Sequence, residues 1–421
     1  MKKGWEIKKL GDVCDVIGGG TPSKGNIKFY DGNIFWATVR DMKGDFINET
    51  EHKITEAAVK ESSTNIIPKG NVVIATRVGL GKICLVENDT AINQDLRGVI
   101  PKRKTDLSVG YLFQWFKSIS HQIVEEGTGA TVQGVKLPFI KGLEIPLPPL
   151  PEQQRIVALL DEAFAAIAKA KANAEQNLKN AKELFESYLQ GVFENKGEGW
   201  EENILKDVCE LKSGTTISPS LERTEGDVLY TKVGDMNLPD NEVEINTSSR
   251  FVNSREIKIN QIIPEGAIIF PKRGGAIATN KKRKIIKPTI VDLNTMAIIP
   301  SKKIDKDYFF HWFHLFDLNI ISNGANIPQI NNYSFDEVYI PYPKSLTEQQ
   351  SIVQKLDALS NETKKLEAIY QQKINDLEEL KKSILQKAFA GELRSPEGAE
   401  YTNDVATPIA KKKTITSPER A

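Results

Sequence analysis

Cysteine is scarce in this chain of 421 residues. Three are present, Cys14, Cys84 and Cys209, too few for a disulfide framework and too widely spaced for a zinc site. Neither sign of charge is in excess: 56 Lys and Arg stand against 56 Asp and Glu, a formal net charge of zero. An overall electrostatic grip on nucleic acid is therefore not implied, and any DNA binding rests on local clustering. No apolar run reaches the roughly 18 residues that span a bilayer. The start, Met1-Lys2-Lys3-Gly4-Trp5-Glu6, lacks the apolar core of a signal peptide. Cytoplasmic residence is the default expectation. With 40% hydrophobic and 27% charged residues, the chain is an ordinary globular sequence long enough for more than one domain.

What the sequence has instead is a stretch of about 40 residues, ending at Gly191, with no internal glycine or proline. It follows the lead-in IPLPPLP (Ile145–Pro151), whose prolines disfavour helix. Pro151 suits the first helical position and Glu152 the first turn. Apolar and small residues recur every seven positions: Ile156, Ala163, Ala170 and Leu184 on one line, Leu160, Ile167, Ala174, Ala181 and Tyr188 on the other. That is a coiled-coil seam with an alanine-rich middle. The signal returns after Ile340, where Thr347 and Gln350 read as a capping box. Its seam runs through Ile352, Leu356, Leu359, Leu366, Tyr370, Leu377, Leu380 and Ile384, weakened at Lys373. Each helix is expected to be on the order of 60 Å long.

The second helix belongs to a repeat of about 195 residues that covers nearly the whole chain. Trp5-Glu6 and Asp12-Val13-Cys14 match Trp200-Glu201 and Asp207-Val208-Cys209. TVRDM (Thr38–Met42) echoes KVGDM (Lys232–Met236), and IPKGNVVIATR (Ile67–Arg77) echoes IPEGAIIFPKR (Ile263–Arg273). YLFQWF at Tyr111 echoes YFFHWF at Tyr308, and GATVQ at Gly129 echoes GANIPQ at Gly324. The expected fold is mixed α/β, with short strands between Gly, Pro and Asn turns and one aromatic helix late in each copy. The expected divisions are a first domain at 1–146, a helix at 147–195, a second domain at 196–341, a helix at 342–393 and a polar tail at 394–421. Laying the two helices antiparallel buries both seams and gives pseudo-two-fold symmetry. Such an object suits a target with two half-sites. At about 3.4 Å per base pair, the helix length caps their separation at somewhat under two turns of DNA.

The ordered set of GGGTPSKGN (Gly18–Asn26), the doubled domain–helix pattern, and IPLPPLPEQQRIVALLD (Ile145–Asp161) with its second copy resembles the specificity subunit of type I restriction–modification systems. The resemblance runs from Trp5 to about Leu393. It implies two target recognition domains, each reading one half of a bipartite, asymmetric site in double-stranded DNA. It further implies helices that act as ruler and docking surface for two methyltransferase subunits, with restriction subunits joining that core. The chain itself would be non-catalytic, with AdoMet, ATP and Mg²⁺ held by the partners. The second copy departs from the first in having Lys344-Ser345-Leu346-Thr347 for Pro149-Leu150-Pro151, and SGTTISPS (Ser213–Ser220) for the glycine-rich segment.

Other motifs are weaker. GGGTPSK lacks P-loop spacing. Pro239-Asp240 with Glu256-Ile257-Lys258 fits a loose nuclease pattern that could hold Mg²⁺, without a counterpart in the first copy. The double proline Pro148-Pro149 lacks the flanking residues of a base-flipping methyltransferase elbow. His311 and His314 have no convergent ligands, and Cys14, Cys209, Trp115 and Trp312 read as core. The rival readings are a DNA-modifying or DNA-cleaving enzyme and a protein-only adaptor. For DNA contact the basic residues carry the signal: the run Lys281-Lys282-Arg283-Lys284, and the matched pair Arg77 and Arg273 beside glycine at strand ends. Lys24, Arg40, Lys43, Arg97, Lys102, Arg103, Lys232 and Arg250 are further candidates, and Gln133 and Gln329 match across the repeat. Sequence discrimination is expected from positions that differ between the copies.

Overall fold

The computed structural model describes residues 4–127, 134–324 and 326–393; Gln133 and the 394–421 tail lie outside the described residues. The chain forms two compact units, Met1–Ala174 with Gln372–Ala421, and Glu175–Gln371. The division cuts both long helices, Leu150–Glu194 and Leu346–Phe389, in mid-length rather than at their ends.

In the first unit a five-stranded sheet has the order Cys14–Gly18, Leu96–Pro101, Val72–Ala75, Ile83–Val86, Phe46–Ile47, antiparallel except for the last pair. A second sheet runs His52–Ile54, Ile34–Ala37, Thr90–Ile92, Asn65–Ile67. The second unit repeats the first sheet strand for strand: Cys209–Ser213, Thr295–Pro300, Ile268–Pro271, Arg283–Ile285, Glu244–Ile245. Its smaller sheet has three strands, Phe251–Val252, Val228–Thr231 and Thr289–Val291; a single bridge from Ile263 to Thr289 stands where the first unit has a fourth strand. In each unit a two-stranded ribbon joins the domain's first strand to the lead-in of its helix, Glu6–Lys9 to Glu144–Leu147 and Trp200–Ile204 to Tyr339–Pro343. The matched Cys14 and Cys209 are buried at strand starts, where desolvation pushes both thiols up to about 12.

Three matched contacts lock each helix start to its own domain. Gln153 and Gln349 are both 0% exposed. The Gln153 amide accepts from Ser108 N–H (2.9 Å) and donates to the carbonyls of Asp106 (2.7 Å) and Pro148 (2.9 Å). Gln349 accepts from Asp305 N–H (2.7 Å) and donates to Lys303 (3.0 Å) and Pro343 (2.8 Å). The hydroxyls of Tyr111 and Tyr308, on the aromatic helices Val109–Ser118 and Lys306–Leu315, donate to the carbonyls of Pro146 and Pro341. Lastly, Asp161 accepts from Gln114 (3.2 Å), and Asp357 pairs with His311 (2.9 Å). The capping expectation is corrected: Ser345, not Thr347, caps the second helix through Glu348 N–H (3.4 Å). Its hydroxyl precedes the first turn, whereas Thr347 already lies within it.

Within each unit the start of one helix meets the end of the other, antiparallel. In the first unit Ile156 and Leu160 share a core with Leu385 and Ala388, Lys381 stands over the Phe164 ring, and Phe389 packs on Tyr111 at 5.1 Å. In the second, Leu189 and Phe193 share a core with Leu356 and Ile352, and Phe193 packs on Tyr308 at 5.3 Å. Ile167, Ala174 and Ala181 are buried, and Leu377 and Ile384 are half-buried. Leu184 and Leu366 are corrections. Past Ala181 the buried positions step by four, through Phe185, Leu189 and Phe193, which turns Leu184 and Tyr188 outward. In the other helix Leu356, Thr363, Tyr370, Leu377 and Ile384 keep one line, and the second line runs one residue later than expected, through Ser360, Glu367, Ile374 and Ala388, which leaves Leu366 and Leu380 exposed. There Ile374 replaces Lys373 on the seam. Leu189 is 0% and Leu184 48% exposed, so Leu189→Ala should cost about 2–5 kcal/mol and Leu184→Ala under about 1 kcal/mol in denaturant unfolding. Equal costs would return the seam to its expected register.

Candidate nucleic-acid interface

The ends of the two sheets in each unit bring together three loops whose backbones are fixed alike. The first follows the edge strand Cys14–Gly18. Gly20 N–H donates to Ile92 O (3.0 Å), and in the second unit Thr215 N–H donates to Val291 O (2.9 Å). A side chain on Gly19 would overlap the carbonyls of Ile92 and Asn93, and one on Gly214 that of Asp292, so only glycine allows this approach. The second loop holds TVRDM or KVGDM. Asp41 accepts from Thr38 N–H (2.7 Å) and Glu51 N–H (2.7 Å); Asp235 accepts from Lys232 N–H (2.8 Å) and Ser249 N–H (3.0 Å). The third is the turn Asn93-Gln94-Asp95, matched by Asp292-Leu293-Asn294. Asn93 N–H donates to Ala37 O and Asp292 N–H to Thr231 O; the turns close through Leu96 N–H to Asn93 O and Thr295 N–H to Asp292 O.

In the first unit these loops enclose a cleft of about 910 Å³. Gly20, Thr21 and Lys24 line it from the first loop, Thr38 and Arg40 from the second, and Gln94 from the third, joined by Val78 next to Arg77. The GGGTPSK segment is thus a wall of the cleft. It is anchored by Trp36 Nε1–H and the Thr64 hydroxyl, both donating to Gly20 O, and by the Tyr30 hydroxyl donating to Pro22 O.

Of the candidate residues, Lys24 and Arg40 line this cleft, and Arg40 lies 3.7 Å from Glu51. Lys43 is exposed on the same loop as Arg40. Arg77 and Arg273 are exposed at the same sheet end and pair with no acid among the described residues. Arg97 lies half-buried beside Gly18; burial first, then the neighbouring Arg77 guanidinium, hold its pKa below the usual arginine value. The second unit has Met296 at the Arg97 position but places Lys272 there from just past the end of the adjacent strand Ile268–Pro271, its ammonium donating to Ser213 Oγ (3.0 Å). Sequence reasoning missed Lys272 because the cation changes strands between the copies. Gln329 is bridged by its backbone to Arg273 and Asn323, which sets GANIPQ alongside the arginine turn.

Several candidates do not join this face. Lys102 donates to Gly11 and Asp12 carbonyls and Arg103 pairs with Asp106 (2.7 Å), both beyond the far end of the strand that begins near Arg97. In the second unit Lys232 stays with this face on the KVGDM loop, but it and Arg250 both pair with Glu222, at 3.2 and 3.3 Å, so part of their charge is already matched. The run 281–284 is not one positive cluster, and that expectation is corrected. Strand geometry sends alternate residues to opposite faces, and the even-numbered lysines turn toward the aromatic helix. Lys282 is 4% exposed and stands over Phe313, donating to Asn280 Oδ1 (3.0 Å) and to the carbonyls of His314 and Phe316; burial pushes its pKa down to about 7. Lys284 lies over Phe310 and pairs with Asp307 (3.0 Å) and Glu244 (3.1 Å). Arg283 donates to Met236 O and Lys282 O, and Lys281 to the Asn237 side chain. Glu256 of the nuclease-like pattern is tied to Arg223 (2.7 Å). Among the described residues no three His, Cys, Asp or Glu side chains are placed to hold a metal ion, and no helix is long and apolar enough to cross a membrane.

A family model described as the type I restriction modification DNA specificity domain matches residues 2–179 and again 197–379. The MjaIX type I restriction enzyme specificity subunit of Methanocaldococcus jannaschii is 28% identical, covering 94% of this chain and 95% of its own. The EcoR124I/EcoR124II specificity subunit of Escherichia coli is 35% identical over 45% of this chain and 48% of its own. Among solved structures, a chain from a study of complex assembly and conformational transition of the type I R-M system has a TM-score of 0.76 at 20% identity, covering 93% of this chain and 99% of that one. The HsdS subunit from Thermoanaerobacter tengcongensis has a TM-score of 0.64 at 20% identity, covering 93% and 98%. Both structures share the fold. With the family model matched twice and nearly end to end, the chain belongs to the type I restriction–modification DNA specificity family and carries that domain in two copies.

Proposed function

We propose that the chain specifies the DNA sequence on which a type I restriction–modification complex acts, each domain reading one half of a bipartite, asymmetric site. The observation that carries this is the doubled sheet end: one backbone scaffold, three loops, basic residues at its rim and unlike side chains on the two copies. Basic residues grip phosphate and position the duplex, while unlike side chains discriminate bases. The long helices set the gap between half-sites and dock two methyltransferase subunits, with restriction subunits joining them. The chain is non-catalytic; AdoMet, ATP and Mg²⁺ bind the partners, and the complex works in the cytoplasm.

Selection of random-sequence duplexes by the full chain with its methyltransferase subunit tests this reading, and the expected product is a split motif. Selection of no motif would favour a protein-only adaptor, and turnover by the chain alone with Mg²⁺ or AdoMet would favour an enzyme. In the same assay Arg77→Ala and Arg273→Ala separate two roles. A phosphate contact weakens all sequences and lowers the salt slope by about one; a base contact relaxes a single position at about 1–3 kcal/mol. Unchanged affinity and motif would remove both arginines from the interface.

A further inference from the structure

The turns Asn93-Gln94-Asp95 and Asp292-Leu293-Asn294 share no residue at any position, yet they are the same object. In the first, Asn93 Nδ2 donates to Asp95 Oδ2 (3.0 Å); in the second, Asn294 Nδ2 donates to Asp292 Oδ2 (2.9 Å). The amide and carboxylate have exchanged ends and kept the clasp. The carbonyl after the tip is also used alike: Thr76 N–H donates to Asp95 O and Lys272 N–H to Asn294 O, both at 2.8 Å. With both flanking side chains committed to the clasp, the middle side chain is the one each turn presents outward.

Those middle residues differ in chemistry. Gln94 is exposed on the cleft wall; its Oε1 accepts from the Thr21 hydroxyl, and its Nε2 donates to none of the described residues. Leu293 is 53% exposed, an apolar side chain held out by the clasp. A lone exposed leucine is ordinary. This one stands where its counterpart faces a cleft, on a turn braced against the first loop by Gly214. We propose that Gln94 and Leu293 occupy one equivalent base-reading position in the two domains, Gln94 reading adenine in one half-site and Leu293 the methyl group of thymine in the other. A glutamine amide that is partly oriented by Thr21 offers the acceptor–donor pair that matches the adenine N6 and N7 edge, and an apolar side chain packs on the thymine methyl. The inference rests on the DNA-reading function above.

The test uses the full chain with its methyltransferase subunit, and wild type, Q94L and L293Q are each selected on random-sequence duplexes. Q94L is expected to lose at least about tenfold of its preference at one position of one half-site. L293Q is expected to do the same in the other half-site, with all remaining positions unchanged. At the position moved by L293Q, duplexes carrying uracil for thymine should bind wild type more weakly and L293A equally well. Thermal unfolding of each variant identifies any that fails to fold, in which case Q94A and L293A interrogate the same two positions. A split motif that none of these variants moves overturns this inference alone. A wild-type complex that selects no split motif overturns the functional reading and this inference together.

Discussion

Removing one heptad from the central helix between Ala165 and Lys182, with the facing heptad of the C-terminal helix, should shorten the gap between the half-sites by about three base pairs. Seven residues at 1.5 Å remove about 10.5 Å, close to three base-pair steps of about 3.4 Å. Seven is the length to remove because it keeps the buried line Leu160, Ile167, Ala174, Ala181 in register. The bases read within each half should not change, since the loops that carry Gln94 and Leu293 are fixed inside their own domains. Affinity should fall as well. Three base pairs turn one half-site by about 100° around the duplex axis, while a heptad turns the helix by only about 20° from its starting azimuth. Methylome mapping of cells carrying the shortened chain reads both effects, and an unchanged gap would end the ruler reading.

The second large effect is expected from a single amide. Gln153→Ala strips three hydrogen-bonded partners of a side chain that is wholly buried: Ser108 N–H and the carbonyls of Asp106 and Pro148. Buried groups left unpaired cost about 1–3 kcal/mol each, so the variant should lose about 3–5 kcal/mol of stability. Gln349→Ala should do the same in the second unit through Asp305, Lys303 and Pro343. The neighbouring Gln154 is exposed, and Gln154→Ala should shift the transition by less than about 0.5 kcal/mol. Denaturant unfolding followed by tryptophan fluorescence measures both, and equal midpoints for the two variants would discard the buried-amide account.

That pair of glutamines shows where the sequence was legible and where it was not. The EQQ match pointed to the helix start in both copies, but only burial distinguishes Gln153 from Gln154. Ile156, Leu160 and Ile167 could be read because a heptad repeat projects onto one face; Leu184 could not, because the step past Ala181 changes from seven to successive fours. The long period was plain, whereas strand order was hidden in strands of two to six residues with parallel and antiparallel neighbours. In the site, Arg77 and Arg273 were found as charges beside glycine at strand ends, and Lys24 and Arg40 only as further basic candidates. Lys282 and Lys284 were misread because charge density along a strand does not reveal which face each side chain takes. The two clasped turns escaped notice because Asn-Gln-Asp and Asp-Leu-Asn show no identity when aligned; the equivalence lies in hydrogen bonds.

The seating of Phe389 on Tyr111 bears on how the molecule comes into being. The first unit joins two separate spans, Met1–Ala174 and Gln372–Ala421, whereas the second is drawn from one continuous span, Glu175–Gln371. On the ribosome, the earlier domain therefore emerges before the later one yet waits for the helix Leu346–Phe389 to leave the exit tunnel before its aromatic helix is covered. Its closure must bridge the 197 residues of Glu175–Gln371, an entropic burden that grows only slowly with length but delays folding. Premature termination near residue 371 would thus spare the span of the later domain and leave the domain synthesised first unfinished.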